Sequence, residues 1–207
     1  MSDLKEAWMA LESHWRITPK DARITGDASY GFMRWTLAPF FRMILRVKIR
    51  GIGNVPKSGP TILAANHLSH VDPLVVILAS RRRTHYLAKD GHFRNVALRT
   101  FMRATGQIET NRETGGADAL SSAAVVLHAN RALGIFPEGT RSKKTEPPFL
   151  LPGKTGIARL AASYPDVPVV PIGLTGTREF MTPNKHKLPR LWRKVGISYG
   201  CLLYTSD

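Results

Sequence analysis

The chain has 207 residues, 43% of them hydrophobic, enough for one α/β domain with a substantial core. Its 30 Lys and Arg face 15 Asp and Glu, a net charge of +15 that favours a polyanionic partner, either nucleic acid or an anionic membrane surface. The single cysteine, Cys201, excludes an intramolecular disulfide and permits a reducing compartment, and Met1-Ser2-Asp3-Leu4-Lys5-Glu6 lacks the basic start and apolar core of a secretory signal.

Leu4, Trp8, Leu11 and Trp15 recur at helical spacing and predict an amphipathic helix that Thr18-Pro19 ends. A second helix is expected over about Tyr30 to Val47, with Pro39 the place for a bend. On it Arg34, Arg42, Arg46 and Arg50 share a half-circle, and Phe32, Met33, Trp35, Leu37, Phe40, Phe41, Ile44 and Leu45 fill the rest. Two readings stay open, an interfacial membrane helix or a helix that docks its apolar side on the core. Arg34 and Arg42 interrupt the run, which falls short of the roughly 18–20 uninterrupted apolar residues of a spanning helix.

From Val47 the period changes. Strands are expected at Val47-Lys48-Ile49, Thr61 to Ala65, His85 to Ala88, from Gly106-Gln107-Ile108, Ala132 to Phe136, Val167 to Leu174 and Val195 to Leu203. Helices are expected at Pro73 to Ala79, Phe93 to Thr105, Ala117 to Asn130 and Thr155 to Ser163. Such alternation predicts an α/β fold, a mainly parallel sheet covered by helices. The chain stops just after the last strand with nothing to cover it, which reads as a truncated C-terminus.

Asn66-His67-Leu68-Ser69-His70-Val71-Asp72-Pro73 ends the apolar run at Ala65. His67 and Asp72 would lie on opposite faces of a strand, and about 140° apart on a helix, so they meet only if the chain turns between them. Pro73 suits the first turn of a helix and makes a strand-to-helix turn the expected geometry. Asp72 would then hold one imidazole nitrogen of His67 and leave the other as a base toward a hydroxyl, the base-and-orienter half of a catalytic triad. Ser69-x-x-Asp72 also fits a capping box, so Asp72 reads equally as a helix cap. A metal bound by His67, His70 and Asp72 would need further ligands, and His85, His92 and His128 are isolated, so no metal is expected.

Phe136-Pro137-Glu138-Gly139-Thr140-Arg141-Ser142 follows another strand, about seventy residues downstream. Gly139 permits close approach of a ligand to the backbone, Thr140 and Arg141 suit a phosphate, and Glu138 could fix Arg141 or accept a bond from a substrate hydroxyl. The plainer reading is a surface turn with a Glu–Arg pair. Arg112, just past the Gly106 strand, adds a second arginine whose plainer reading is a solvated charge. Gly196-Ile197-Ser198-Tyr199-Gly200 matches a hydrolase elbow, but seven residues follow it and none is histidine, so Ser198 is rejected as a nucleophile.

Four blocks in order, Asn66-His67-x4-Asp72-Pro73, Gly106-x-Ile108-x3-Arg112, Phe136 to Ser142 and Val167-Pro168-Val169-Val170-Pro171-Ile172-Gly173, resemble the glycerophospholipid acyltransferase family over about Val47 to Leu203. Ala88-Lys89 and Gly153-Lys154-x-Gly156 also fall where that family has similar residues. The resemblance implies a mixed, largely parallel central sheet wrapped by helices, with an N-terminal amphipathic helical pair (residues 1–46) at the membrane and an acyltransferase domain over 47–207. It implies that His67 deprotonates the acceptor hydroxyl and Asp72 orients His67. Arg112, Glu138, Gly139, Thr140 and Arg141 would hold the glycerol phosphate of a lysophospholipid such as 1-acylglycerol-3-phosphate. The acyl donor would be acyl-CoA or acyl-carrier protein as co-substrate, with no cofactor and no acyl-enzyme. The basic charge is then assigned to the cytoplasmic face of an anionic membrane rather than to nucleic acid, and Lys185, Lys187, Arg190, Arg193 and Lys194 form a second basic cluster that reads equally as a solubilising loop. Glu109-Thr110-Asn111 before Arg112 departs from the apolar residue and aspartate common in the family.

Overall fold

The computed structural model describes residues 27–44, 46–89, 106–110, 116–180 and 193–203, with the single positions 17, 19, 20, 24, 96, 99, 100 and 190. The helix expected over residues 4–15 and the site candidate Arg112 lie outside the described residues, as does most of the helix expected over 93–105, of which positions 96, 99 and 100 are helical.

Strands β1 (Lys48–Arg50), β2 (Thr61–Ala65), β3 (Thr84–Lys89), β4 (Ile108–Thr110), β5 (Ala132–Ile135), β6 (Val169–Thr175) and β7 (Gly196–Tyr199) form one sheet of seven strands in the order β1-β7-β6-β2-β5-β3-β4. The pairs β6–β2, β2–β5, β5–β3 and β3–β4 are parallel, β7 runs antiparallel to β6, and β1 runs parallel to β7. The sheet is therefore mixed and largely parallel, as the alternating pattern requires. Around it stand α1 (Asp27–Ile44), α2 (Asp72–Ala79), α3 (Gly116–His128), α4 (Gly156–Ser163) and the short α5 (Thr177–Phe180).

β2 is the central strand, and its apolar run Thr61-Ile62-Leu63-Ala64-Ala65 is what burial on both faces demands. Ile62 points into a cluster with Leu120, Ala123, Val126, Leu133 and Leu160, beneath α3 and α4. Leu63, one residue on, points the other way, toward Val75, Val76 and Ala79 of α2 and toward Tyr86. Both are fully buried, each contributing about 1.5–3 kcal/mol of transfer free energy. Ser80 closes α2 in an extended conformation. Asn130 takes φ 56° after α3, while its amide and that of Arg131 return to Leu127 and Val126, a left-handed C-terminal cap.

Two sequence expectations change. The last strand ends at Tyr199 rather than Leu203: the Gly200 amide still donates to the Pro171 carbonyl at 2.8 Å, but Pro171 has no N–H to return the bond, and Leu203 only bridges Val169. That strand is also not left uncovered, since β1 from the start of the domain pairs along it. The second change concerns α1, which begins earlier than expected and runs through Pro39. One side docks: the Tyr30 hydroxyl accepts the Thr84 amide at 2.9 Å, and the Arg42 guanidinium donates to the Leu78 carbonyl at the end of α2. Arg42 is thus a C-terminal cap for α2, not a member of a free basic stripe. The other side leaves Phe32, Trp35, Phe40 and Met43 exposed, Trp35 by 79%. Among the described residues no helix is long and apolar enough to cross a membrane.

The order of strands places the functional region. β2 is followed by α2 and then β3, to one side of the sheet; β5 is followed by α4 and then β6, to the other. β2 and β5 are neighbours, with Ala64 opposite Ile135. Their connections diverge, which opens a crevice beyond their carboxyl ends, the position where ligands bind in open α/β sheets. Both sequence motifs begin there.

Candidate active site

His67 leaves the carboxyl end of β2 from a fixed point. The Asn66 side chain accepts the Leu174 amide at 2.6 Å and donates to the Leu174 carbonyl at 3.1 Å, extending the β2–β6 ladder by a side chain. The chain then turns within four residues, and Asp72 opens α2 fully buried. Asp72 Oδ2 lies 2.9 Å from His67 Nδ1 and accepts the amides of Leu68 and Ser69 at 2.6 and 2.7 Å. The cap of this helix is Val71, with no side-chain cap bond, so the capping box that Ser69-x-x-Asp72 allows is not formed; Asp72 instead gathers the turn before the helix and holds His67. A carboxylate has only acceptor sites, so Nδ1 carries the hydrogen and Nε2 keeps its lone pair. His67 is half-buried and His70 is exposed. Among the described residues no group of three or more His, Cys, Asp or Glu could hold a metal ion.

The second loop is bolted to the first. The Ser142 amide donates to the His67 carbonyl at 2.9 Å, and the His67 amide donates to Glu138 Oε1 at 3.0 Å. The other Glu138 oxygen accepts the Leu151 amide at 3.0 Å. Glu138 is buried and forms no ion pair with Arg141; the Glu–Arg pair that the sequence allows is replaced by a brace across three backbone segments. Gly139 takes φ 66°, its amide closing a turn on the Phe136 carbonyl at 2.9 Å. A Cβ there would be strained and would stand 3.1 Å from Lys154 Cδ and Cε. Thr140 is exposed and Arg141 half-buried. Burial lowers the Arg141 guanidinium from its ordinary pKa, and attraction to the Asp72 charge works against that. The dyad and the anion loop therefore share one electrostatic neighbourhood.

Four further residues shape this site without a local sequence signal for their roles. Phe136 stacks on the His67 ring at 3.9 Å between centroids and 12° between planes. Tyr86 stacks on Phe136 at 5.1 Å and 22°. Lys154 donates its amide to the Pro137 carbonyl at 2.8 Å and lays its side chain over Gly139. Arg178, on α5, donates to the Ser142 carbonyl at 3.3 Å and to the Lys144 carbonyl, and covers the Phe149 ring at 4.7 Å. Arg178 thereby holds the far end of the loop from the helix that follows β6, two positions along the sheet order from β5.

A buried carboxylate holding a half-buried imidazole, joined through backbone to a glycine turn with an arginine, stands at the switch point of a mixed α/β sheet, an arrangement that can activate a hydroxyl beside a bound anion. The chain belongs to the acyltransferase family, whose pattern matches residues 46–175. It is 28% identical over 142 residues to the 1-acyl-sn-glycerol-3-phosphate acyltransferase of Borreliella burgdorferi, covering 68% of this chain and 55% of that protein. With the 1-acyl-sn-glycerol-3-phosphate acyltransferase of Bacillus subtilis it shares 27% identity over 143 residues, covering 69% and 70%. With 1-acyl-sn-glycerol-3-phosphate acyltransferase alpha of Homo sapiens it shares 30% over 147 residues, covering 69% and 50%. The match thus spans about half the length of several of these relatives. The crystal structure of the 1-acyl-sn-glycerophosphate acyltransferase from Thermotoga maritima shares the fold, with a TM-score of 0.64 at 21% identity over 86% of this chain and 73% of that one.

Proposed function

We propose that this chain transfers a fatty acyl group from an acyl thioester to the free hydroxyl of a lysophospholipid, converting 1-acylglycerol-3-phosphate to phosphatidic acid. The observation that carries the reading is the 2.9 Å contact between His67 Nδ1 and Asp72 Oδ2, which leaves Nε2 available beside the anion loop. Nε2 takes the proton of the acceptor hydroxyl as the oxygen attacks the thioester carbonyl carbon. The C–S bond breaks, the acyl ester forms, and the proton held by His67 passes to the departing thiolate. No acyl-enzyme intervenes, and no metal or cofactor enters the step. Asp72 holds the ring while it carries positive charge. Arg141 and the Gly139 turn receive the acceptor phosphate with Thr140 and Arg112, and Glu138 keeps that loop at the distance His67 requires.

The donor is acyl-CoA or acyl-carrier protein. The exposed apolar stripe of α1, with the net charge of +15, fits attachment at an anionic membrane surface on its cytoplasmic face, where both lipid and donor meet the site. The test is release of free thiol from an acyl thioester in the presence of lysophosphatidate, other lysophospholipids, glycolipid acceptors and monoacylglycerol. Turnover that depends on the acceptor phosphate supports the reading. Equal turnover on phosphate-free acceptors overturns the assignment of the acceptor, and no turnover with any of them overturns the enzyme.

A further inference from the structure

We propose that Phe136 and Tyr86 are positioning residues for His67, forming an aromatic column that sets the plane of the imidazole and stabilises the positive charge it takes up during acyl transfer. The inference rests on the reading of His67 as the base. It is carried by the ring geometry, which neither that reading nor the family match requires.

The sheet builds the column. Leu63, Ala65 and His67 are alternate residues leaving β2 on one face; Gly134 and Phe136 are alternate residues on β5; Tyr86 lies directly opposite Gly134. Leu63, Ala65, Tyr86 and Phe136 all pack in the same cluster, on the α2 side of the sheet. Tyr86 can lie flat there only because position 134 is glycine, since a Cβ would stand 2.2 Å from Tyr86 Cζ. The Tyr86 ring is fully enclosed, and its hydroxyl has no hydrogen-bond partner among the described residues. The ring rather than the hydroxyl is therefore what the site uses.

Asp72 holds the imidazole by one nitrogen, and one hydrogen bond still tolerates tilting of the ring plane. Phe136, stacked nearly parallel at 3.9 Å, limits that tilt. It also presents the negative face of its π system to a ring that becomes cationic when it accepts the proton. Tyr86, at 5.1 Å, backs Phe136 and stops it yielding. The column thus acts on the step in which charge develops and has no contact with the acceptor phosphate.

The test uses the full chain with lysophosphatidate and an acyl thioester, together with the NMR signals of the His67 ring protons, assigned by their loss in His67→Ala. Phe136→Leu should lower kcat by about 2- to 30-fold with acceptor KM changed less than about twofold, and should abolish the ring-current displacement of the His67 protons. Phe136→Tyr keeps the ring face and should restore both. Phe136→Met retains apolar volume without a ring and replaces Phe136→Leu if that variant unfolds. A folded Phe136→Leu or Phe136→Met with wild-type kcat overturns the proposal, as does a kcat loss with unmoved His67 signals. His67→Ala separates the two claims: retained turnover there defeats the base, whereas lost turnover beside an unaffected Phe136→Leu defeats only the column.

Discussion

Glu138 accepts the main-chain amide of His67 at 3.0 Å, so a buried carboxylate of one motif holds the backbone of the histidine of the other. Its second oxygen holds the Leu151 amide, and both partners are donors. Glutamine cannot satisfy both, because its NH2 would face an N–H. Glu138→Gln is therefore expected to lose about 1–3 kcal/mol of stability through one orphaned donor. That lowers Tm by roughly 2–12 °C in a chain of this size. Glu138→Ala, which orphans two donors, should lose about twice as much, read by thermal denaturation, and both variants should lose activity as the loops separate.

Arg141 is the cation carried by the glycine turn itself, beside the Lys154 side chain that lies over Gly139. Arg141→Ala should raise the KM for lysophosphatidate by about 10- to 150-fold, the range expected for a lost charge-assisted hydrogen bond. Residual turnover on a monoacylglycerol without phosphate should be unchanged. Initial-rate kinetics on the two acceptors decide the point; an equal loss on both would give Arg141 a structural role instead.

Tyr86 makes a prediction about alkaline stability. Burial first, then the charges of Tyr199, Asp72 and Tyr30, push its hydroxyl well above its ordinary value. A folded pKa raised above the unfolded value of about 10 contributes stability that is present below pH ~10 and lost as pH rises through the folded value. Tyr86→Phe should therefore flatten the fall in Tm above pH ~10, measured against wild type in matched buffers. It should be neutral or stabilising at pH 7, since it removes a buried hydroxyl with no partner among the described residues.

Phe32 and Trp35 lie on the exposed stripe of α1, away from Tyr30 and Arg42, which dock it. Phe32→Ser with Trp35→Ser should leave Tm within about 2 °C of wild type, as surface changes within roughly 0.5 kcal/mol do. Co-sedimentation with anionic vesicles should fall several-fold. Undiminished co-sedimentation would remove α1 from the membrane contact.

How far the sequence reaches depends on the range of each interaction. The strand of Thr61–Ala65 is legible because five apolar or small residues in a row are buried on both faces, and Pro73 announces the helix that turns Asp72 back on His67. The pairing of β7 with β1, 148 residues apart in the chain, leaves no local trace. Glu138 is legible as a functional position, but its partners, the amides of His67 and Leu151, are set by the adjacency of β2 and β5 rather than by spacing. Phe136 and Tyr86 read as ordinary core aromatics, because a stack depends on two strands in register and on a glycine opposite. Arg42 reads as one of four basic residues on a helix face, and only the end of α2 beside it shows that it is a cap.

The central claim is that His67, held by Asp72, deprotonates a lysophospholipid hydroxyl. The most direct measurement is thiol release from an acyl thioester with lysophosphatidate, compared between wild type and a folded His67→Ala. Wild type should form one phosphatidate per thiol released, and the variant should show at least a hundredfold loss, about 2.7 kcal/mol of transition-state stabilisation. Turnover by His67→Ala within a few-fold of wild type would contradict it.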